Sequence, residues 1–422
     1  MIRRRRLLPL LLSGAVALCP AMPVHATTLD EAIAAALAHA PEIAEADAEG
    51  DAAKGRLQQA RSGGLPQASL TGTYGVGRLN PQNYFGLSAD NVTPRAAQAT
   101  IEQPLFAGGR VKAGIDQAKA GIKAAQAGGD MARSQIAMAT AQAYGDVLVT
   151  AEMLDLYRRL AEETAEIERQ AKLRYKAGET PSTDMQQAAA RLAEAEAGLA
   201  RAEGMQVSAQ AHYRNLTGLE PVDLQPLPPN PPLPGTLDEA MTIAMDNSPT
   251  LRQAEAGLKA AEAAVRGARG ERLPAVSAFA EAGMVRDQFF PGYIANSATV
   301  GVRGKWDLFA GGRISGKLNE SHAKVRAADA QLRAVRRNLE EGVLSAWSDV
   351  RTAQAVEKAS EEQATAAAQA LTSVRHEVRV GMKPQIDLLD AEREAIAAAA
   401  NAAQARTGRI VAAYRLNSLI GR

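Results

Sequence analysis

Cysteine is almost absent from this chain of 422 residues: the only one, Cys19, lies close to the N-terminus. Beyond it neither disulfides nor thiolate metal sites can form. Long apolar runs are missing too. After the first 26 residues no stretch of about 18 apolar residues occurs, so no transmembrane helix is expected. A basic footprint of the kind that binds nucleic acid is also lacking, with 48 Lys and Arg against 47 Asp and Glu. Aromatic residues make up only 4%. Proline is missing from two long stretches, Leu105–Thr180 and Gly292–Lys383, and that last absence says most about shape.

The N-terminus has four arginines, an apolar run from Leu7 to Leu18 and a small-x-small site at Val24–Ala26. This is the pattern of a secretory signal peptide spanning residues 1–26, and its run is too short to cross a bilayer. Removing it shifts the net charge from +1 to −3. An exported chain with no membrane-spanning helix is periplasmic, extracellular, or in an outer membrane as a β-barrel.

The rest is a tandem repeat. "TLDEAIAAALAHAP" (Thr28–Pro41) returns as "TLDEAMTIAMDNSP" (Thr236–Pro249), and Leu65–Pro66 returns as Leu273–Pro274, all at an offset of 208. Further on the offset is 203, relating Leu105 to Leu308, Gly178 to Gly381 and Gly218 to Gly421. The boundaries expected are a first repeat over 27–219, a Pro-rich linker over 220–235 and a second repeat over 236–422.

Each half opens with a capping box, Thr28 with Glu31 and Thr236 with Glu239, predicting a helix start. Helices broken at Pro41 and Pro249 lead to two strand-like stretches. In "SATVGVRGKWDLF" Ala298, Val300, Val302, Trp306 and Leu308 alternate with mostly polar neighbours, the period of a strand with one wet and one dry face. Between the strands lie Tyr84 and Phe85, and Phe289, Phe290 and Tyr293. Such clusters form either a small core under a loop or a belt at the water–lipid boundary.

"LFAGGR" then occurs twice, at Leu105–Arg110 and Leu308–Arg313. Gly108, Gly109, Gly311 and Gly312 stand where a strand must become a helix, and glycine tolerates the angles such a turn needs. The Ala-rich stretches that follow predict helices of about 65 residues, about 100 Å long at 1.5 Å per residue. Each ends at a glycine turn, Gly178 or Gly381. Pro181 and Pro384 suit the first turn of a returning helix.

The fold expected is therefore mainly α, with long antiparallel helical hairpins and four β-strands per chain. Four strands leave two unpaired edges that lipid cannot satisfy, so a membrane-embedded sheet requires several chains to pool strands.

The order of these parts, with "QPLFAGGR", "WDLFAGGR", "VGMKPQIDLLDAE", "YRNLTG" and "YRLNSLIG", resembles the TolC family of outer membrane channel proteins. The likeness covers about residues 28–421. It implies a homotrimer in which a 12-stranded outer membrane barrel continues into a 12-helix periplasmic tunnel. It further implies a passive exit duct for a tripartite efflux pump or a type I secretion system. The partners implied are a periplasmic adaptor and an inner membrane transporter of RND, MFS or ABC type, besides outer membrane lipid. The other reading is a periplasmic coiled-coil or adaptor protein without a barrel, which would need β-domains that are not evident here.

No catalytic constellation, metal-ligand spacing or cofactor motif is evident. His39, His212, His322 and His376 are scattered. Asp387 and Asp390, three apart on one helix face, match the family's periplasmic gate, where carboxylates from three chains would ring one constriction and attract cations. Lys383 matches a basic residue that latches the closed entrance, with Thr183 and Asp184 as its expected partners. Val378 stands where a known member has a tyrosine, so a side-chain hydrogen-bonded latch through that position is impossible. The tips around Gly178, Pro181, Gly381 and Pro384 are the expected adaptor contact.

Overall fold

The computed structural model describes residues 26–80 and 90–421; the signal-like segment up to residue 25, and Tyr84 and Phe85, lie outside them. The first half runs α1 (Leu29–His39), α2 (Pro41–Ser62), β1 (Gln67–Tyr74), β2 (Gly77–Leu79), β3 (Asp90–Val92), β4 (Arg95–Phe106), α3 (Arg110–Lys176) and α4 (Ser182–Thr217). The second runs α5 (Leu237–Asn247), α6 (Pro249–Gly270), β5 (Ala275–Arg286), β6 (Ile294–Lys305), α7 (Arg313–Arg379) and α8 (Gln385–Ile420). Corresponding helices have equal lengths of 11, 22, 67 and 36 residues. The two long ones extend about 100 Å each.

Local chemistry explains the boundaries. Thr28 and Glu31 form a reciprocal cap, with bonds of 3.2 Å to the Glu31 N–H and 2.8 Å from the Thr28 N–H. At the second start only half of the box forms: Thr236 caps Glu239, while the Glu239 carboxylate accepts from the Gly235 N–H at 2.8 Å. Pro41 and Pro249 occupy the first helical position, where a missing N–H costs nothing, and so divide each short helix from the next. Gly109 and Gly312 cap α3 and α7 with φ of 80° and 86°, in the left-handed region. Gly178 and Gly381 close those helices at φ 75° and 78°. Pro181 and Pro384 sit one residue outside the returning helices, as extended caps, rather than in their first turn.

The strands form one antiparallel sheet in the order β1–β4–β5–β6, and β2 and β3 form a separate small ribbon that the sequence pattern did not announce. β6 stops at Lys305, so Trp306 and Leu308 do not extend its alternation. Trp306 instead turns its ring N–H to the Arg272 carbonyl at 3.0 Å.

The core is thin and lies where short and long helices cross. One cluster joins Leu29, Ala32, Tyr144, Tyr213 and Ile410; another joins Ala240, Ala244, Val343, Leu416 and Ile420. Tyr144 is fully buried, and its hydroxyl lies 2.6 Å from the Gln225 carbonyl and 2.8 Å from that of Thr27. Burial pushes this phenol up to about 12. A neutral donor thereby ties both the start of the described chain and the inter-repeat linker to α3. Lower down, α3 and α8 cross closely at Gly145, where an added Cβ would meet Thr407 at 2.3 Å.

Candidate functional site: a two-faced sheet and the hairpin tips

The sheet has two chemically distinct faces, and the register shows it. Ala68 pairs with Ile101, Ile101 with Ala280 and Ala280 with Val300. One row along the same face, Leu70, Ala99, Ala282 and Ala298 stand abreast. This face is apolar yet uncovered: Leu70, Ile101, Val300 and Val302 are 79%, 53%, 83% and 67% exposed. The opposite face carries Thr71, Gln98, Thr100, Glu281, Thr299 and Arg303. There Arg303 pairs with Glu281 at 2.8 Å and lies 4.4 Å above the Phe279 ring. A dry outside and a polar inside, alternating residue by residue, is the pattern of a transmembrane β-barrel wall. Strands of 12 residues (β4, β5 and β6) exceed the 9–11 that a tilted strand needs.

Rings mark both ends of this wall. Beyond β5, Phe289 and Phe290 each pack edge-on against Tyr293 at 5.1 Å. At the helix end, Trp306, Leu308 and Phe309 are 59%, 79% and 90% exposed. Among the described residues no helix is long and apolar enough to cross a membrane.

At the far end of the helices the two hairpin tips come together. A pocket of about 260 Å³ is lined by Thr180 and Asp184 from the first tip and by Pro384 and Ile386 from the second. Asp184 and Asp387 lie in the first turns of α4 and α8, where the helix dipole favours a carboxylate. Asp387 is half-buried and Asp390 exposed. Asp390 opens onto a cleft of about 640 Å³ that also holds Arg191, Glu194 and Arg393, so its surroundings are of mixed sign. Within one chain Lys383 pairs with Glu377 at 3.0 Å. Thr183 and Asp184 are both exposed at the neighbouring tip.

One charged cluster escaped sequence reasoning. Arg375 of α7 bonds Glu163 of α3 at 2.7 Å and Glu392 of α8 at 3.4 Å. Glu392 is 3% exposed, and its second oxygen has no partner within the described residues. Burial, and then the negative neighbour Glu163, push Glu392 up to about 8. One guanidinium thus serves two carboxylates between three helices, and a proton on Glu392 relieves the imbalance. The three residues lie far apart in the sequence, and nothing local distinguishes them from surface charges.

No group of His, Cys, Asp or Glu suited to hold a metal occurs among the described residues.

A profile of the outer membrane efflux protein family matches residues 32–219 and 241–422, and the chain belongs to that family. It is 26% identical over 365 residues to the outer membrane efflux protein BepC of Brucella suis, covering 86% of this chain and 78% of BepC. It is 22% identical over 407 residues to the outer membrane protein TolC of Escherichia coli, covering 90% and 79%. Its fold is similar to the CmeC outer membrane channel of Campylobacter jejuni, with a TM-score of 0.82 over 93% of this chain and 85% of that one, at 14% identity. The chain is an outer membrane exit duct of efflux or secretion systems, with a long periplasmic helical extension. Its family consists of channel proteins that act with adaptors and inner membrane transporters.

Proposed function

We propose that three copies of this chain close one passive duct. Four strands from each give a barrel of twelve, and α3, α4, α7 and α8 of each line the tunnel beneath it. The observation that carries this reading is the sheet itself. Among the described residues its edge strands β1 and β6 lack partners on one side, while its outward face is apolar through its central rows, from Leu70, Ala99, Ala282 and Ala298 to Ala68, Ile101, Ala280 and Val300. Lipid cannot satisfy an open edge, and one copy cannot close four strands on themselves.

Transport energy then comes from an inner membrane transporter of RND, MFS or ABC type. A periplasmic adaptor transmits its engagement through the tips at Gly178, Pro181, Gly381 and Pro384. Asp387 and Asp390 of three chains form the entrance ring, and Lys383 latches it against Thr183 and Asp184 of an adjacent hairpin once it leaves Glu377. Lysine offers a point charge rather than a bidentate fork, so this latch is weak.

Purified protein in planar bilayers tests the duct: discrete conductance steps and heat-modifiable migration are expected, and a soluble monomer without pores refutes it. Asp387→Ala with Asp390→Ala tests the ring: block by multivalent cations from the tip side weakens by about tenfold or more if the ring holds them. Unchanged block removes the two aspartates from the gate and leaves the duct intact.

A further inference from the structure

The Arg375 cluster borders a cavity of about 270 Å³ between α3, α7 and α8. Its large apolar side chains are Leu156 and Leu160 of α3, Leu371 of α7 and Ile396 of α8. The volume falls just below the roughly 300 Å³ at which sites for drug-sized molecules begin, so an occupant must be small.

The charges around this cavity do not balance. From α3 come Arg159 and Glu163, from α7 Arg375 and from α8 Glu392. Arg159 is taken up by Asp155 at 2.7 Å. Arg375 is left to serve both Glu163, at 2.7 Å, and Glu392, at 3.4 Å. On α8 itself Arg393 and Glu394 line the separate cleft with Asp390 and do not border this cavity. One negative charge therefore remains over. It falls on Glu392, which is 3% exposed and has one oxygen without a partner among the described residues.

The hairpin design does not call for this acid. By the offset of 203, Glu163, Arg375 and Glu392 correspond to Ala366, Lys172 and Ala189. The first hairpin still forms helices of 67 and 36 residues, the same lengths as in the second. A buried carboxylate with an unmade hydrogen bond is costly to keep, and one that the architecture does without marks a functional site.

Chemistry narrows the occupant. A divalent metal ion is a poor match, because a guanidinium stands between the two carboxylates and no metal-holding group occurs among the described residues. An organic ammonium ion matches each feature. It brings one positive charge and N–H donors for the carboxylate. Its apolar body fits the aliphatic walls. The last torsion of a Glu side chain is soft, so either oxygen can turn to the opening.

We propose that this cavity binds a small organic ammonium ion, its nitrogen paired with the Glu392 carboxylate and its apolar body held between α3, α7 and α8. The site lies within one chain and apart from the entrance aspartates, so it stands or falls independently of the duct. Binding needs the ionised acid, so proton and ammonium compete. Glu392 titrates at about 8 through burial and then Glu163. Below that pH each ammonium bound expels a proton, and affinity falls as pH falls.

The probe is phenethylammonium chloride, titrated calorimetrically into full-length protein in detergent with detergent alone as the blank. Saturable binding is expected, about tenfold tighter at pH 7 than at pH 6 and changing less above pH 8. Repeating the titration at pH 7 in buffers of different ionisation enthalpy should show about one proton released per ion bound. The uncharged 2-phenylethanol should bind at least about tenfold more weakly. Glu392→Gln should remove both the binding and the proton release. Ala395→Leu fills the cavity and leaves its charges alone; it should weaken binding about tenfold or more while each ion still bound expels its proton. Should Glu392→Gln fail to fold, the proton count and Ala395→Leu decide the matter. Absence of saturable binding, absence of proton release, equal binding of 2-phenylethanol or undiminished binding by Glu392→Gln each overturn the site. Binding that survives Glu392→Gln but is lost with Asp387→Ala and Asp390→Ala places the ion at the entrance ring and overturns it too.

Discussion

The two long helices α3 and α7 have the same length and the same place in their repeats, yet 14 residues of α3 are buried and only six of α7. α3 lies between α2 and α6 and also contacts α4 and α8; α7 contacts α5, α6 and α8 and leaves one flank open. Two near-copies of one unit thus acquire different environments because α3 receives α6 of the other repeat as well as its own α2, while α7 packs against α6 of its own repeat. The sequences have diverged along that line, with Tyr144 and Gly145 on α3 where α7 has Trp347 and Ser348.

The glycine turns give the largest way to break this contrast. Gly108→Val places a branched side chain at φ 62° against the Gly270 backbone, costing about 3 kcal/mol or more from strain and overlap together. Loss of heat-modifiable outer membrane protein is the expected result. Gly109→Ala, at φ 80° but with nothing within 4 Å, costs only about 1 kcal/mol and leaves assembly intact. Equal loss from both variants would show that conformation alone, not the close approach, matters at this turn.

Next in size is the α3–α8 crossing. Gly145→Ala forces Thr407 aside and costs about 1–3 kcal/mol, read as a lowered Tm, whereas Ser348→Ala shifts the melting of the unassembled chain by less than about 0.5 kcal/mol.

The Arg375 cluster gives a pH test. Glu392 titrates at about 8 in the folded chain, above its ordinary 4.5. Its neutral form is favoured by folding, so the associated stability is fully present below about 4.5 and is lost as pH rises toward 8. Glu392→Gln should flatten thermal stability between those limits, and an unchanged slope would remove Glu392 as its source.

The smallest effect is expected at the in-chain ion pairs. Arg252 and Asp130 are 43% and 42% exposed, so Arg252→Ala costs at most about 1 kcal/mol, and less at high salt.

Much of the fold was legible because its signals are local. Proline at 41 and 249, glycine at 109 and 312 and the hydroxyl caps at 28 and 236 each act within a turn of where they stand. The tips were legible for the same reason. What escaped depended on distant partners: the second carboxylate of a capping box choosing Gly235, the early end of β6, and Glu163, Arg375 and Glu392 meeting across three helices. Lys383 shows the same divide, since its position follows from the turn but its partner Glu377 does not.

By itself the sequence determined the repeat, the lengths of the helices and the alternation of the strands, because propensity, capping and period act between near neighbours along the chain. Tertiary structure alone decided which flank of each helix is covered, which face of the sheet stays bare and where one guanidinium must serve two acids. Those outcomes depend on how residues two hundred positions apart are brought into contact, and a linear pattern carries no record of that distance.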